Sequence, residues 1–82
     1  MADYEDLLEQ VREILGPLTK AHVEMTEETD LVADLGLDSL KVMDLLTEVE
    51  DRFDVSIPLN LLPEIRTLGD LTAQLQTLVD EG

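Results

Sequence analysis

The sequence predicts an all-α fold, a four-helix bundle of three longer helices and one short one, with a long loop between the first and second. Three observations predict it. Apolar residues recur at three- and four-residue steps near the start, middle and end of the chain. Gly16-Pro17 and Pro58 punctuate those stretches. The apolar content, 44%, is mostly aliphatic, with one Phe, one Tyr and no Trp. At 82 residues the chain is sized for a single domain over 1–82. A domain of that size buries only roughly 60–65% of its unfolded surface, which leaves little volume for a deep catalytic cleft.

The first helix follows from Tyr4, Leu7, Leu8, Val11, Ile14, Leu15 and Leu18, which share one face. Asp3, Glu5 and Asp6 sit at its start, where the helix dipole favours anions. Gly16-Pro17 should end it, with Gly in a left-handed cap. No helical stripe persists from Pro17 to Leu37. A loop that long in a compact domain is functional or pinned. Leu31, Leu35 and Leu37 are the expected pins, and Thr26-Glu27-Glu28-Thr29 suits a short turn of helix.

The second helix should begin at Asp38 or Ser39 and reach about Phe53. At 100° per residue, Val42, Leu46, Val49 and Phe53 fall on one side, flanked by Met43 and Leu45. Leu40, Asp44, Thr47, Glu48 and Asp51 fall opposite, which leaves Leu40 as an apolar residue on a polar face. Leu59 to Ile65 reads as the short third helix, started or interrupted by Pro63. Leu68, Leu71, Leu75, Leu78 and Val79 form the stripe of the last, with Asp70 in its first turn.

Charge narrows the function. Twenty acids against five bases give −15. Nucleic-acid backbones are poor partners for such a chain; basic protein surfaces are good ones. With no cysteine there is no disulfide, thiolate nucleophile or thiolate metal site. The acidic N-terminus is neither a signal nor a transit peptide, and no apolar run is long enough to span a membrane. The expectation is a cytoplasmic protein without membrane insertion.

Two chemistries find little support. A serine hydrolase would need His22, the single histidine, with Ser39 or Ser56. An EF-hand beginning at Asp30 requires Gly at its sixth position and Glu at its twelfth, where this chain has Leu35 and Lys41. No catalytic residue and no metal site are expected.

The stretch Asp34-Leu35-Gly36-Leu37-Asp38-Ser39-Leu40 is different. A Gly-containing turn delivers a hydroxyl to a helix N-terminus, where amide groups and the dipole favour a phosphate. On its own, the tripeptide Asp38-Ser39-Leu40 fits a plain helix cap equally well. Its context is more specific. The motif, the acidic helix after it, Phe53-Asp54, Ile57-Pro58 and Thr67-Leu68-Gly69-Asp70-Leu71 together resemble the acyl carrier proteins, over nearly the whole chain from Tyr4 to Val79.

The resemblance implies a four-helix bundle of acyl-carrier type. It implies a phosphopantetheine group transferred from coenzyme A to Ser39 by a phosphopantetheinyl transferase. That arm supplies the thiol the chain lacks, carries acyl groups as thioesters, and leaves catalysis to other proteins. Asp38 matches the residue that helps the transferase dock. Leu40, Asp44, Glu48 and Asp51 match the partner-recognition face. Val42, Leu46, Leu62 and Ile65 match the lining of an acyl pocket. Partners would be acyl-loading, condensing and acyltransfer enzymes with basic docking patches, and the carrier itself a monomer.

Three departures from fatty-acid carriers stand out. Lys41 stands where an acid or small polar residue is common. Leu59, Leu61 and Leu62 stand in a stretch that is often acidic, and at least one should be exposed. Leu37 replaces a small residue, which also argues against the peptidyl carriers. The departures suggest a carrier for a dedicated lipid, polyketide or acyltransfer pathway. The rival from another class is an acidic helical adaptor that binds a basic protein and carries no cofactor.

Self-repulsion at −15 gives a first prediction. Added salt or magnesium should raise the melting temperature by screening it. A melting temperature indifferent to ionic strength would refute this account.

Overall fold

The computed structural model describes residues 3–19 and 24–81. Three α-helices, α1 (Tyr4–Leu15), α2 (Ser39–Phe53) and α3 (Leu68–Glu81), are joined by a 3-10 turn at Gly16–Leu18 and a 3-10 helix at Leu59–Glu64. α1 packs against both α2 and α3. The core is aliphatic: Val11, Leu15, Leu45, Val49, Leu68, Leu71 and Leu75 are fully buried.

Asp3 caps α1 by accepting the Glu5 N–H at 3.1 Å. The helix does not end in the expected left-handed glycine. Gly16 stays right-handed at φ −45°, and the chain tightens into the 3-10 turn with Pro17 near its start. Proline suits that position, because its fixed φ is helical and its missing N–H costs nothing there. Thr19 then turns extended, its N–H donating to Leu15 O at 3.2 Å.

On α2 the buried arc centres on Leu45, Leu46 and Val49, while Val42 and Phe53 are half-buried. Leu45, expected at the flank, is wholly inside. Adjacent residues lie 100° apart, so burying both Leu45 and Leu46 means that the core wraps beyond a single stripe. Asp54 closes the helix in the left-handed region at φ 55°, a conformation Asp tolerates better than most residues. The Glu50 carboxylate then accepts the Ile57 N–H at 2.8 Å and fixes the exit.

The short third helix is 3-10, with Pro63 inside it. Proline offers no N–H and its ring clashes with an α-helical carbonyl, so the segment winds through i→i+3 bonds instead. Leu61 N–H meets Pro58 O at 3.0 Å and Ile65 N–H meets Leu62 O at 3.1 Å. Leu59 is 64% exposed, Leu61 and Leu62 are half-buried and Ile65 is buried, so the expected exposed leucine is Leu59.

The long loop is pinned as expected, with Leu31, Leu35 and Leu37 all buried. Thr26–Thr29 forms a hydrogen-bonded turn and no helix. The stronger restraint is a seam with the start of α3. Leu31 N–H donates to Arg66 O at 3.0 Å, Leu68 N–H to Thr29 O at 2.9 Å, and Gly69 N–H to Glu27 O at 2.8 Å. Asp30 and Thr67 thereby form an antiparallel bridge. From α1, the Tyr4 hydroxyl donates to Glu27 at 3.0 Å and Arg12 donates to Met25 O at 3.0 Å. Burial, and then the hydrogen-bonded Glu27 carboxylate, push the Tyr4 hydroxyl's pKa up.

Gly69 makes this seam close. A Cβ there would stand 2.8 Å from the Glu27 carbonyl oxygen. Gly69→Ala should therefore force loop and helix apart, at a cost of about 1–3 kcal/mol in urea denaturation. Unchanged stability would show that the seam yields freely.

Thr67 and Asp70 form a reciprocal capping box at the start of α3. Thr67 Oγ1 accepts the Asp70 N–H and Asp70 Oδ2 accepts the Thr67 N–H, both at 3.1 Å. That backbone bond, with a second from Arg66 N–H, holds the Asp70 carboxyl below its ordinary pKa. Bonds from Ala33 and Val32 N–H do the same for Asp30, against its slight desolvation and with the help of Arg66. A folded-state pKa below the unfolded value stabilises the fold above about pH 3.9 and loses that contribution as pH falls below it. Asp70→Ala should thus be less stable than wild type at neutral pH, with the gap closing at acid pH. Urea titrations of both proteins across pH check this, and a gap independent of pH would refute it.

Candidate functional site

The loop that the seam anchors coils tightly before α2. Asp34 N–H and Leu35 N–H both donate to Asp30 O, at 3.1 and 3.2 Å, and Gly36 N–H donates to Val32 O at 3.0 Å. The Asp34 carboxylate accepts the Asp30 N–H at 2.8 Å. Gly36 then takes φ +70°, a left-handed conformation that an L side chain resists by roughly 1–2 kcal/mol. The space around it is open, so glycine is required there for its backbone and not for room. The Thr19 hydroxyl ties Leu35 O down at 2.8 Å.

This reversal drops Leu37 into the core and leaves Asp38 at the N-cap of α2. Asp38 Oδ1 accepts the Lys41 N–H at 2.9 Å, and Asp38 O accepts the Val42 N–H at 2.9 Å. A side-chain cap of this kind is worth about 0.5–2 kcal/mol. Ser39 is the first residue of α2 and is exposed. Its hydroxyl therefore stands beside first-turn amides that lack partners within the helix.

Leu40 is 69% exposed, the most of any large apolar side chain among the described residues. Asp44, Glu48 and Asp51 are exposed as well, and their spacing of four and three residues puts them on one face. Of the expected acyl-pocket residues, Val42, Leu62 and Ile65 come together. With Val32, Ser39 and Met43 they line a groove of about 260 Å³. Leu46 does not join them; it is buried in the core. Met43 could have been found from its helical position beside Val42. Val32 sits in an aperiodic loop and carried no sequence signal.

Asp30, Asp34 and Asp38 each spend a carboxylate oxygen on nearby backbone amides. Among the described residues no cluster of three His, Cys, Asp or Glu side chains is arranged to hold a metal. His22 lies outside the described residues. Also among them, no helix is long and apolar enough to cross a membrane.

Residues 6–75 match the family model described as the phosphopantetheine attachment site. A Caulobacter vibrioides protein named "Probable acyl carrier protein" is 43% identical over 56 residues, 68% of this chain and 65% of that protein. The meromycolate extension acyl carrier protein of Mycolicibacterium smegmatis is 35% identical over 82 residues, 99% of this chain and 83% of that protein. A solved Mycobacterium tuberculosis structure assigned to the acyl carrier proteins superposes with a TM-score of 0.80 at 32% identity, covering 87% of this chain and 96% of that one. The chain belongs to the acyl carrier protein family.

Its cofactor is accordingly a covalently attached phosphopantetheine, whose thiol holds acyl intermediates of fatty-acid and lipid synthesis as thioesters. A phosphopantetheinyl transferase and biosynthetic enzymes are the partners that membership implies. An adaptor without a cofactor is set aside. The site fits the group: an exposed hydroxyl at a helix N-terminus accommodates a phosphodiester, and a groove with apolar walls opens beside it.

Proposed function

We propose that this single-domain carrier bears its arm on Ser39 and catalyses nothing itself. The observation that supports the reading is the position of Ser39. It is the exposed first residue of α2, held by a capped helix below and a left-handed glycine before it. Asp38 keeps the helix start ordered and presents its second carboxylate oxygen to the transferase. Leu40 gives partners an apolar contact, and Asp44, Glu48 and Asp51 steer basic docking patches. Charges of this exposed kind act mainly on association rate and partner choice. The protein works as a cytoplasmic monomer.

The groove lined by Val42, Met43, Leu62, Ile65 and Val32 receives the first carbons of the acyl chain, where apolar contact shields the thioester from water. Lys41 and the exposed Leu59 set this surface apart from an evenly acidic one. Together with the 35% identity to a meromycolate extension carrier, they favour service in a dedicated lipid, polyketide or acyltransfer pathway. Full replacement of a housekeeping carrier in reconstituted fatty-acid synthesis would end that part of the reading.

Incubation with coenzyme A, magnesium and a promiscuous transferase should add the mass of one phosphopantetheine, and Ser39→Ala should abolish the addition. Addition that survives Ser39→Ala would move the site elsewhere. Reversing Asp44 and Glu48 to Lys together should slow modification at low salt while leaving the melting temperature near wild type or above it. Unchanged kinetics would mean that the recognition face lies elsewhere.

A further inference from the structure

Arg52 lies in the last turn of α2, and Glu48 lies four residues before it. An acid four residues ahead of a base is the favourable order for an ion pair along a helix. Long helical side chains also lean over the preceding turn, so Arg52 would by default cover Glu48. It does not. Arg52 Nη1 reaches across to α1, where it donates to Glu13 Oε2 at 3.2 Å and to Gln10 O at 3.4 Å. Glu48 is exposed, and among the described residues its side chain has no ion pair or hydrogen bond.

Glu13, Glu48, Asp51 and Arg52 line one groove of about 500 Å³, with Ile14 of α1. Carboxylates of both helices therefore flank the guanidinium, and only the one on α1 holds it. Either pairing is exposed, and exposed pairs are individually weak. The α1 side prevails because it offers a backbone carbonyl as well as a carboxylate. Without the Glu13 charge that advantage is gone, and the ordinary i, i+4 pair with Glu48 becomes the better one.

We propose that Glu13 is a positioning residue for partner recognition: it draws Arg52 onto α1 and so keeps the Glu48 carboxylate uncompensated for basic partners. The inference rests on the reading of Glu48 as a recognition residue. It extends the recognition surface to a residue of α1 that itself need touch no partner. Because every charge involved is exposed, the effect is modest and screened by salt.

Nitrogen–proton NMR of the Arg52 side chain at low salt reads its partner first. Introducing Glu48→Gln into wild type should leave the Arg52 Nε–Hε resonance in place, whereas introducing it into Glu13→Gln should move it. Equal responses in the two backgrounds would overturn the proposal. Initial rates of loading from coenzyme A by a promiscuous transferase, followed by mass spectrometry at low salt, then read recognition. Glu48→Gln and Glu13→Gln should each slow loading by roughly two- to fivefold. Adding Arg52→Gln to Glu13→Gln should restore the wild-type rate, and Arg52→Gln alone should load at least as fast as wild type. Glu5→Gln, which removes the same charge at the exposed start of α1, should load near the wild-type rate. The differences should close at high salt. Loading of Glu13→Gln at the wild-type rate would overturn the proposal. So would slow loading by Arg52→Gln alone, which would make the pair a brace between α1 and α2. Loading of Glu48→Gln at the wild-type rate would overturn the recognition reading beneath it, a failure that the NMR result keeps distinct.

Discussion

The site depends on a short seam between an aperiodic loop and the start of α3. Three backbone hydrogen bonds join the loop at Glu27, Thr29 and Leu31 to the start of α3 at Arg66, Leu68 and Gly69. The loop has no stripe of its own to pack. Without the seam, the buried Leu31, Leu35 and Leu37 would be isolated anchors on a segment free to rearrange. With it, the turns of Asp30 to Gly36 have a fixed base, and Gly36 can reverse the chain at a fixed point. Ser39 is thus placed by bonds made near residue 67, far along the sequence. The glycine of Thr67-Leu68-Gly69-Asp70 matters to the site for the same reason, because it lets the helix backbone approach Glu27.

Two groups among the acidic residues contrast. Asp3, Asp30, Asp34, Asp38, Glu50 and Asp70 accept hydrogen bonds from backbone N–H groups and so hold helix starts and turns together. Asp44, Glu48 and Asp51 lie exposed along one face of α2. The first kind is structural, and removing its charge removes a cap. The second kind adds repulsion without a local bond to offset it, a cost consistent with the proposed docking of basic partners on this face. A large negative charge is therefore compatible with a small fold in part because six of the carboxylates are stabilised by backbone N–H groups.

The three α-helices were legible because each buries a face, and the periodicity of Leu and Val records that burial. Asp38 as a cap and Ser39 as an exposed first-turn residue were legible for a related reason, since both follow from local backbone chemistry. The third helix was legible as a short element but not as 3-10, because its winding is decided by a missing N–H at Pro63 and not by a stripe. The right-handed Gly16 shows the same limit, since a following proline allows a 3-10 turn as readily as a left-handed stop. The seam was hidden, being made of backbone atoms distant in sequence. So was Val32, whose place in the groove is set by the fold alone. Leu46 was misplaced because neighbours on one face of α2 serve different ends, Val42 opening to the groove and Leu46 closing the core.

The groove lies where the bundle is least regular. α1 packs against both α2 and α3, and α2 and α3 meet far less. The 3-10 helix and its C-cap supply Leu61, Leu62 and Ile65 to the core, and Leu62 and Ile65 face Val42 and Met43 of α2 across the groove. One wall of the groove is therefore α2, held by a full ladder of i→i−4 bonds and two caps. The other rests on six residues wound around Pro63, with few bonds to break. Moving Leu62 outward displaces a half-buried side chain and a short i→i+3 turn; moving Val42 outward would disturb a capped helix and the core beneath it. On the proposed reading, a chain entering beside Ser39 would be accommodated on the 3-10 side, and the helix that presents the hydroxyl would keep its position for the next partner.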